Sequence, residues 1–170
     1  MARAVPGLSA AVLLLCGLVA AGQALAEEAT AQLENKDGEE VGEVTLEESP
    51  HGVLVHAELD GMPEGTHAFH IHEKGKCKPP FKSAGGHYNP KDHQHGFMNE
   101  DGYHAGDMPN IYVPDSGELE AVIFNPKVSM NDELLDDNGA AVVIHEGADD
   151  YMTDPAGDAG PRIACGVIEQ

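Results

Sequence analysis

Between Lys74 and Asn110 the chain loses every periodic pattern that marks a helix or a strand. Gly75, Pro79, Pro80, Gly85, Gly86, Pro90, Gly96, Gly102, Gly106 and Pro109 punctuate it. A structureless stretch of this length is uncommon inside a compact domain unless it is functional or disordered. Yet the same segment carries Cys77, His87, His93, His95, His104 and Asp107. A disulfide and metal bonds can order such a loop where apolar burial cannot. With 10 His in 170 residues, metal is the first chemistry to consider.

The flanking sequence reads as β. Small or apolar residues alternate with polar ones over Glu28 to Lys36, and the pattern returns over Val41 to Leu46 and Val53 to Leu59. Further strands are expected at about Thr66 to Glu73, Leu119 to Phe124, Ala140 to Glu146 and Ile163 to Ile168. No window predicts a helix, apart from a turn near Asn131 to Asp136. A second loop, Gly147 to Pro161, is acidic and separates the last two strands. The absence of Trp, with 20 Gly and 11 Pro, suits an all-β sandwich or barrel better than a helical bundle.

Residues 1–26 read as a secretory signal peptide, with Arg3 in the positive region, an apolar run over Ala10 to Ala21, and Ala24-Leu25-Ala26 as the cleavage site. The apolar run is too short for a membrane span. Residues 27–170 then form one domain. Losing Arg3 leaves 8 basic against 30 acidic residues, a formal charge of -22. That balance argues against nucleic acid and against anionic lipid as partners. Cys77 and Cys165 remain, and two cysteines in an exported chain usually pair.

On a strand, alternation puts His70 and His72 on one face and Phe69 and Ile71 on the other. Two such imidazoles can converge on one metal, although the pattern fits two surface histidines equally well. His87, His95, His104 and Asp107 supply three imidazoles and a carboxylate, a closed tetrahedral set that suits structural zinc. Each of them alone is better read as a solvated loop residue. His145 ends the apolar Ala141 to Ile144 run and, alone, reads as a core histidine. His51, His56 and His93 lack ligand partners at useful spacing. The scattered Met residues form no copper-transport tract.

Six stretches taken together resemble the copper/zinc superoxide dismutase family. They are GTHAFHIHEKGKC (Gly65 to Cys77), GGHYNP (Gly85 to Pro90), His95-Gly96, HAGD (His104 to Asp107), VVIHEGADDY (Val142 to Tyr151) and GPRIACGVI (Gly160 to Ile168). The resemblance runs over essentially all of residues 27–170. The ADDYMTDPAGDAGPRIACGVI stretch is similar to the bacterial, exported branch.

The resemblance implies a Greek-key β-sandwich, or flattened barrel, of immunoglobulin-like architecture with two long functional loops. It implies one copper and one zinc ion per subunit. His70, His72, His87 and His145 would hold copper, while His87, His95, His104 and Asp107 would hold zinc, with His87 bridging as an imidazolate. Cys77 would pair with Cys165, and His67 would support the site without binding metal. Asp149 would link His70 to His95, and Arg162 would dock the anionic substrate beside copper. The implied reaction turns superoxide into dioxygen and hydrogen peroxide, with His87 taking up and returning a proton. Electrostatic steering belongs to the family too. The second loop here contains no Lys, so Lys74, Lys76, Lys78 and Lys82 are expected to replace it as the steering cations, with Lys36 and Lys127 elsewhere.

Two rival functions remain at this level. A copper-buffering module of the same fold would be favoured by loss of Arg162 or of a ligand, and none is lost. A zinc hydrolase needs an open zinc position and a general base, whereas the zinc set here is filled by protein ligands. The expected setting is antioxidant defence in an exported compartment, most simply the bacterial periplasm. The sequence leaves a homodimer open.

Overall fold

A computed structural model describes Met1 and residues 27–130 and 134–170. The leader assigned to residues 1–26, Met1 apart, lies outside the described residues, as does half of the turn expected near Asn131 to Asp136. Nine strands are described, and all pair antiparallel. β1 is Glu28–Asn35, β2 Glu40–Ser49, β3 Gly52–Leu59, β4 Gly65–His67 and β5 Phe69–His72. β6 is Ile111–Val113, β7 Leu119–Asn125, β8 Ala141–His145 and β9 Arg162–Val167. The only helical element among the described residues is the short 3-10 turn Lys82–Ala84.

The first three strands form the expected meander. Alternation drives it: Ala29, Ala31 and Leu33 of β1, Val44 and Leu46 of β2, and Val53, Val55 and Ala57 of β3 are buried. One curled sheet runs β5-β8-β9-β1-β2-β3-β7, and β4 pairs with β6 in a second, two-stranded sheet. The β3-to-β4 and β6-to-β7 connections both leave the order of simple neighbours, which makes the topology a Greek key. Sequence alternation treats Thr66 to Glu73 as one strand. The chain instead breaks at Ala68, pairing with β6 before the break and with β8 after it. Alternation does not predict β6. It is a three-residue strand just beyond a Gly/Pro-rich stretch, too short for a period to register.

The two faces of β5 and β8 have different fates. Phe69, Ile71, Val142 and Ile144 enter the main core. Ala141, Val143 and Cys165 face outward and are covered by Phe81 and Ala84 of the first long loop. His70 lies opposite Val143 and His72 opposite Ala141, so both imidazoles share that outer face. The first loop is stapled there by the Cys77–Cys165 disulfide. Its middle is pinned to the free edge of β5: Tyr88 N–H donates to Ile71 O at 2.8 Å, and Ile71 N–H donates to Gly106 O at 2.9 Å. Those two backbone bonds bring His87 and Asp107 beside His72 and His70.

Candidate metal centre

The residues singled out in the sequence converge on the outer face of β5, β8 and β9. His70, His72, His87, His95, His104, Asp107, His145 and Asp149 are all buried. The β8–β9 register shifts between Ile144 and His145. Such an irregularity re-aims the side chain that follows it.

One cluster consists of His70, His72, His87 and His145, with one ring nitrogen from each lying within 4.8 Å of the others. His70 Nδ1 and the Nε2 atoms of His72, His87 and His145 are buried without a hydrogen-bond partner. The opposite nitrogens explain why these are bare lone pairs. His70 Nε2–H donates to Asp149 Oδ2 at 2.8 Å. His72 Nδ1–H donates to Gly85 O, and His145 Nδ1–H to Gly160 O, both at 3.1 Å. The hydrogen bond on one nitrogen fixes the tautomer and presents the other as a ligand.

Titration agrees. Burial, reinforced by the His87 charge, drives the His72 pKa well down. Burial lowers His87 to about 3, against the pull of its Asp107 contact. Burial and the neighbouring His70 lower His145 to about 4. These rings are therefore neutral at pH 7, as ligation requires. Four convergent imidazoles suit copper.

The second cluster joins His87, His95, His104 and Asp107. Asp107 Oδ1 lies 2.7 Å from His87 Nδ1, 3.0 Å from His95 Nδ1 and 3.3 Å from His104 Nδ1. His87 Nδ1 and His104 Nδ1 are 3.3 Å apart. One carboxylate oxygen facing three ring nitrogens is crowded for hydrogen bonding alone. Tetrahedral zinc, with bonds of about 2.0–2.1 Å, would set its ligands about 3.3 Å apart, so the donor set fits that ion. Asp107 Oδ2 accepts the backbone N–H groups of Gly96 and His104, which fixes the carboxylate plane. His87 belongs to both clusters through its two different nitrogens.

Asp149 ties the clusters together. Its Oδ1 accepts from His95 Nε2–H at 2.9 Å while Oδ2 accepts from His70. Burial favours its protonation, but the two imidazoles outweigh that and hold its pKa below the usual carboxylate range. Asp107 is displaced the same way, with the three facing imidazoles overcoming burial. Burial lowers His95, yet Asp107 and Asp149 prevail and raise it to about 9.

Sequence reasoning missed the clamp on Asp149. Asn110 accepts the Asp149 N–H at 2.8 Å and donates to Asp149 O at 2.9 Å. Gly157, with φ +65°, packs so closely that a Cβ there would lie 1.9 Å from Asp149 Oδ1. Only the fold brings these residues to Asp149.

Arg162 opens β9. Its Nη1 donates to Phe81 O at 2.7 Å and its Nη2 to Gly85 O at 2.6 Å. Gly85 O thus serves both Arg162 and His72. A groove of about 560 Å³ beside Arg162 is lined by Lys36, Pro80, Lys82, Gly160 and Pro161, with no carboxylate. Lys82 is where steering was expected, but Lys74, Lys76 and Lys78 are not among the lining residues. Lys74 Nζ lies 3.5 Å from Glu73 Oε1. Lys36, set apart in the sequence, comes to the groove from the β1–β2 turn. His67 contacts the carbonyls of His145 and Pro63, each at 2.9 Å, and belongs to neither cluster.

An antiparallel Greek-key fold bearing two four-ligand clusters that share one imidazole defines a dinuclear metalloprotein of redox type. The family model for copper/zinc superoxide dismutase matches residues 40–168. The chain belongs to the copper/zinc superoxide dismutase family, whose metals are copper and zinc. It is 51% identical over 146 residues to superoxide dismutase [Cu-Zn] 2 of Aquifex aeolicus, covering 82% of this chain and 85% of that one. A SOD-like protein from Bacillus subtilis superposes with a TM-score of 0.78 at 41% identity, covering 81% of this chain and 96% of that one. Cu/Zn superoxide dismutase from Brucella abortus superposes with a TM-score of 0.72 at 30% identity, covering 84% of this chain and 100% of that one.

Proposed function

We propose that this chain dismutates superoxide to dioxygen and hydrogen peroxide, with His70, His72, His87 and His145 as copper ligands and His87, His95, His104 and Asp107 as zinc ligands. The observation that carries this reading is the set of four buried, unpartnered imidazole nitrogens, one of them on the ring that also enters the zinc set. Copper supplies one-electron redox chemistry, and zinc supplies fixed coordination without redox change.

The protein's own part is positioning. Arg162, held by the Phe81 and Gly85 carbonyls, keeps guanidinium N–H groups for a small anion at the mouth. His87 Nε2 takes up a proton in one half of the cycle and returns it in the other, while the Nδ1 side keeps the ring in place. Asp149 orients one ligand of each metal. Lys82 and Lys36 draw the anion toward Arg162, and Lys74, Lys76 and Lys78 add a wider positive field. No nucleophile is used.

The leader and the disulfide support an exported compartment. Residues 1–26 are removed on export, residues 27–170 form the mature domain, and the Cys77–Cys165 bond persists in an oxidising space, the bacterial periplasm. There the enzyme serves antioxidant defence. No helix among the described residues is long and apolar enough to cross a membrane. Tyr112, Val122 and Phe124, exposed on β6 and β7, are apolar residues that a homodimer could cover.

Dismutation by the purified protein, before and after copper is stripped, tests the reading. Activity that survives complete copper removal, or is absent with both metals loaded, overturns it. A His70→Ala variant with full turnover overturns the ligand map alone. N-terminal sequencing of the exported form should begin at Glu27, and sedimentation reads the oligomeric state.

A further inference from the structure

A pocket of about 210 Å³ that shares no lining residue with Arg162's groove is lined by Asn89, Pro90, Lys91, His93, Tyr103, Ala105, Pro126 and Lys127. No carboxylate lines it, although the chain carries 30 acidic residues. Neither Lys91 nor Lys127 makes an ion pair among the described residues, and neither lines the groove beside Arg162.

The walls are fixed by two asparagines. Asn89 closes the turn that carries Lys91: its Nδ2 donates to His93 O at 2.8 Å, and its Oδ1 accepts the His93 N–H at 3.1 Å. Asn125, which is buried, holds the facing turn. Its Oδ1 accepts the Lys127 N–H at 2.9 Å, and its Nδ2 donates to Ala105 O at 2.9 Å. Lys127 Nζ donates to Tyr103 O at 3.0 Å and stands 3.3 Å from the centre of the Tyr103 ring. That ring packs edge-on against Phe97, with centroids 4.7 Å apart. One donor position of Lys127 is thus occupied and the amine is anchored, leaving ammonium hydrogens for another acceptor.

We infer that this pocket is a binding site for a free inorganic oxyanion of phosphate size, held between Lys91 and Lys127. Partial burial lowers the Lys127 pKa; the Asp107 charge opposes that, and the Lys91 charge reinforces it. An anion between the two amines offsets the repulsion between them. The volume accommodates one phosphate with a few waters, at about 30 Å³ each. The bound anion would join the turn after β7 to the loop that carries His87, His95, His104 and Asp107. It would thereby brace the zinc ligands without touching them.

Phosphate titration by calorimetry on the metal-loaded protein tests this, with chloride used to match ionic strength. The Arg162→Met background removes the anion contact at the groove. One saturable phosphate per chain is expected. Lys127→Met and Lys91→Met should each weaken it by about tenfold or more, the scale of one lost charge-assisted contact. Lys127→Arg should keep it. Absence of saturable binding, or an affinity unchanged in Lys127→Met, overturns the proposal. Circular dichroism on each variant separates lost binding from lost fold.

Discussion

At the scale of single residues, the centre depends on which nitrogen of each imidazole is left bare, and Asp149 decides that for two of them. Replacing it by Asn keeps the shape but turns one accepting oxygen into a donating amide, which faces a ring N–H. His70 or His95 then loses its orientation. Outer partners of this kind are worth about 10–100-fold in metal affinity. Asp149→Asn should weaken zinc binding on that scale, measured by competition with a chelator, while the disulfide stays intact. Proton counting gives a second expectation. Unliganded His87 and His145, at about 3 and 4, are already neutral at pH 7, whereas His95, raised to about 9, is protonated. On the proposed ligand map zinc displaces that proton, so zinc affinity of the metal-free protein should rise with pH up to about 9 and then level. The stability carried by the charged His95 has the opposite sense. It is fully present below the unfolded value of 6.5 and is lost as pH rises through about 9. Calorimetry in two buffers of different ionisation heat reads the released proton directly, and a release that does not fall off near pH 9 would contradict the assignment.

At the scale of elements, β2, β3 and β7 carry a strain of their own making. Glu43 lies opposite Glu58, and Glu58 opposite Glu120, so three carboxylates stand side by side across three strands. Like charges directly opposite destabilise a sheet by about 0.2–1 kcal/mol per pair. Glu58→Gln relieves two pairs at once, and thermal denaturation should show a rise of about 2–4 °C, larger in low salt than in high. A fall in melting temperature would mean that Glu58 is held by something other than repulsive neighbours. The same strands show what can be read without a structure. The meander is legible because one face of each strand must be apolar. The break at Ala68 is not, since β4 and β5 keep one alternation and differ only in their distant partners, β6 and β8. The candidate ligands are legible because imidazole and carboxylate carry their chemistry in their identity. The carbonyls of Phe81, Gly85 and Gly160 have no such signature, and neither does Asn110 before the fold brings it to Asp149. The disulfide lies between these cases: two cysteines predict a bond, but not that it fixes the carbonyls on which Arg162 rests.

For the whole molecule, the question is how a chain of formal charge -21 receives an anion. The sum counts charge without position, and at about 0.1 M salt the field of distant carboxylates fades within about 10 Å. What an approaching superoxide feels is the nearest wall of the groove, which holds Lys36, Lys82 and Arg162 and no carboxylate. Lys36 is the instructive member, because its sequence position, between β1 and β2, gives no hint of the metal centre. A cation about 8 Å from the path contributes about 0.5 kcal/mol in water. Converting Lys36 and Lys82 together to Gln should therefore lower kcat/KM at low ionic strength by roughly fivefold. The metal content and the visible spectrum should stay the same. Converting Lys74, Lys76 and Lys78 instead removes more charge but from outside the groove, and should cost less. Rates of both variants measured from low to high salt separate the two explanations: if the local wall governs encounter, the Lys36/Lys82 variant loses most of the wild-type salt dependence and the triple variant keeps it. If the triple variant is the slower and flatter of the two, net charge along the loop governs, and the groove has no special claim.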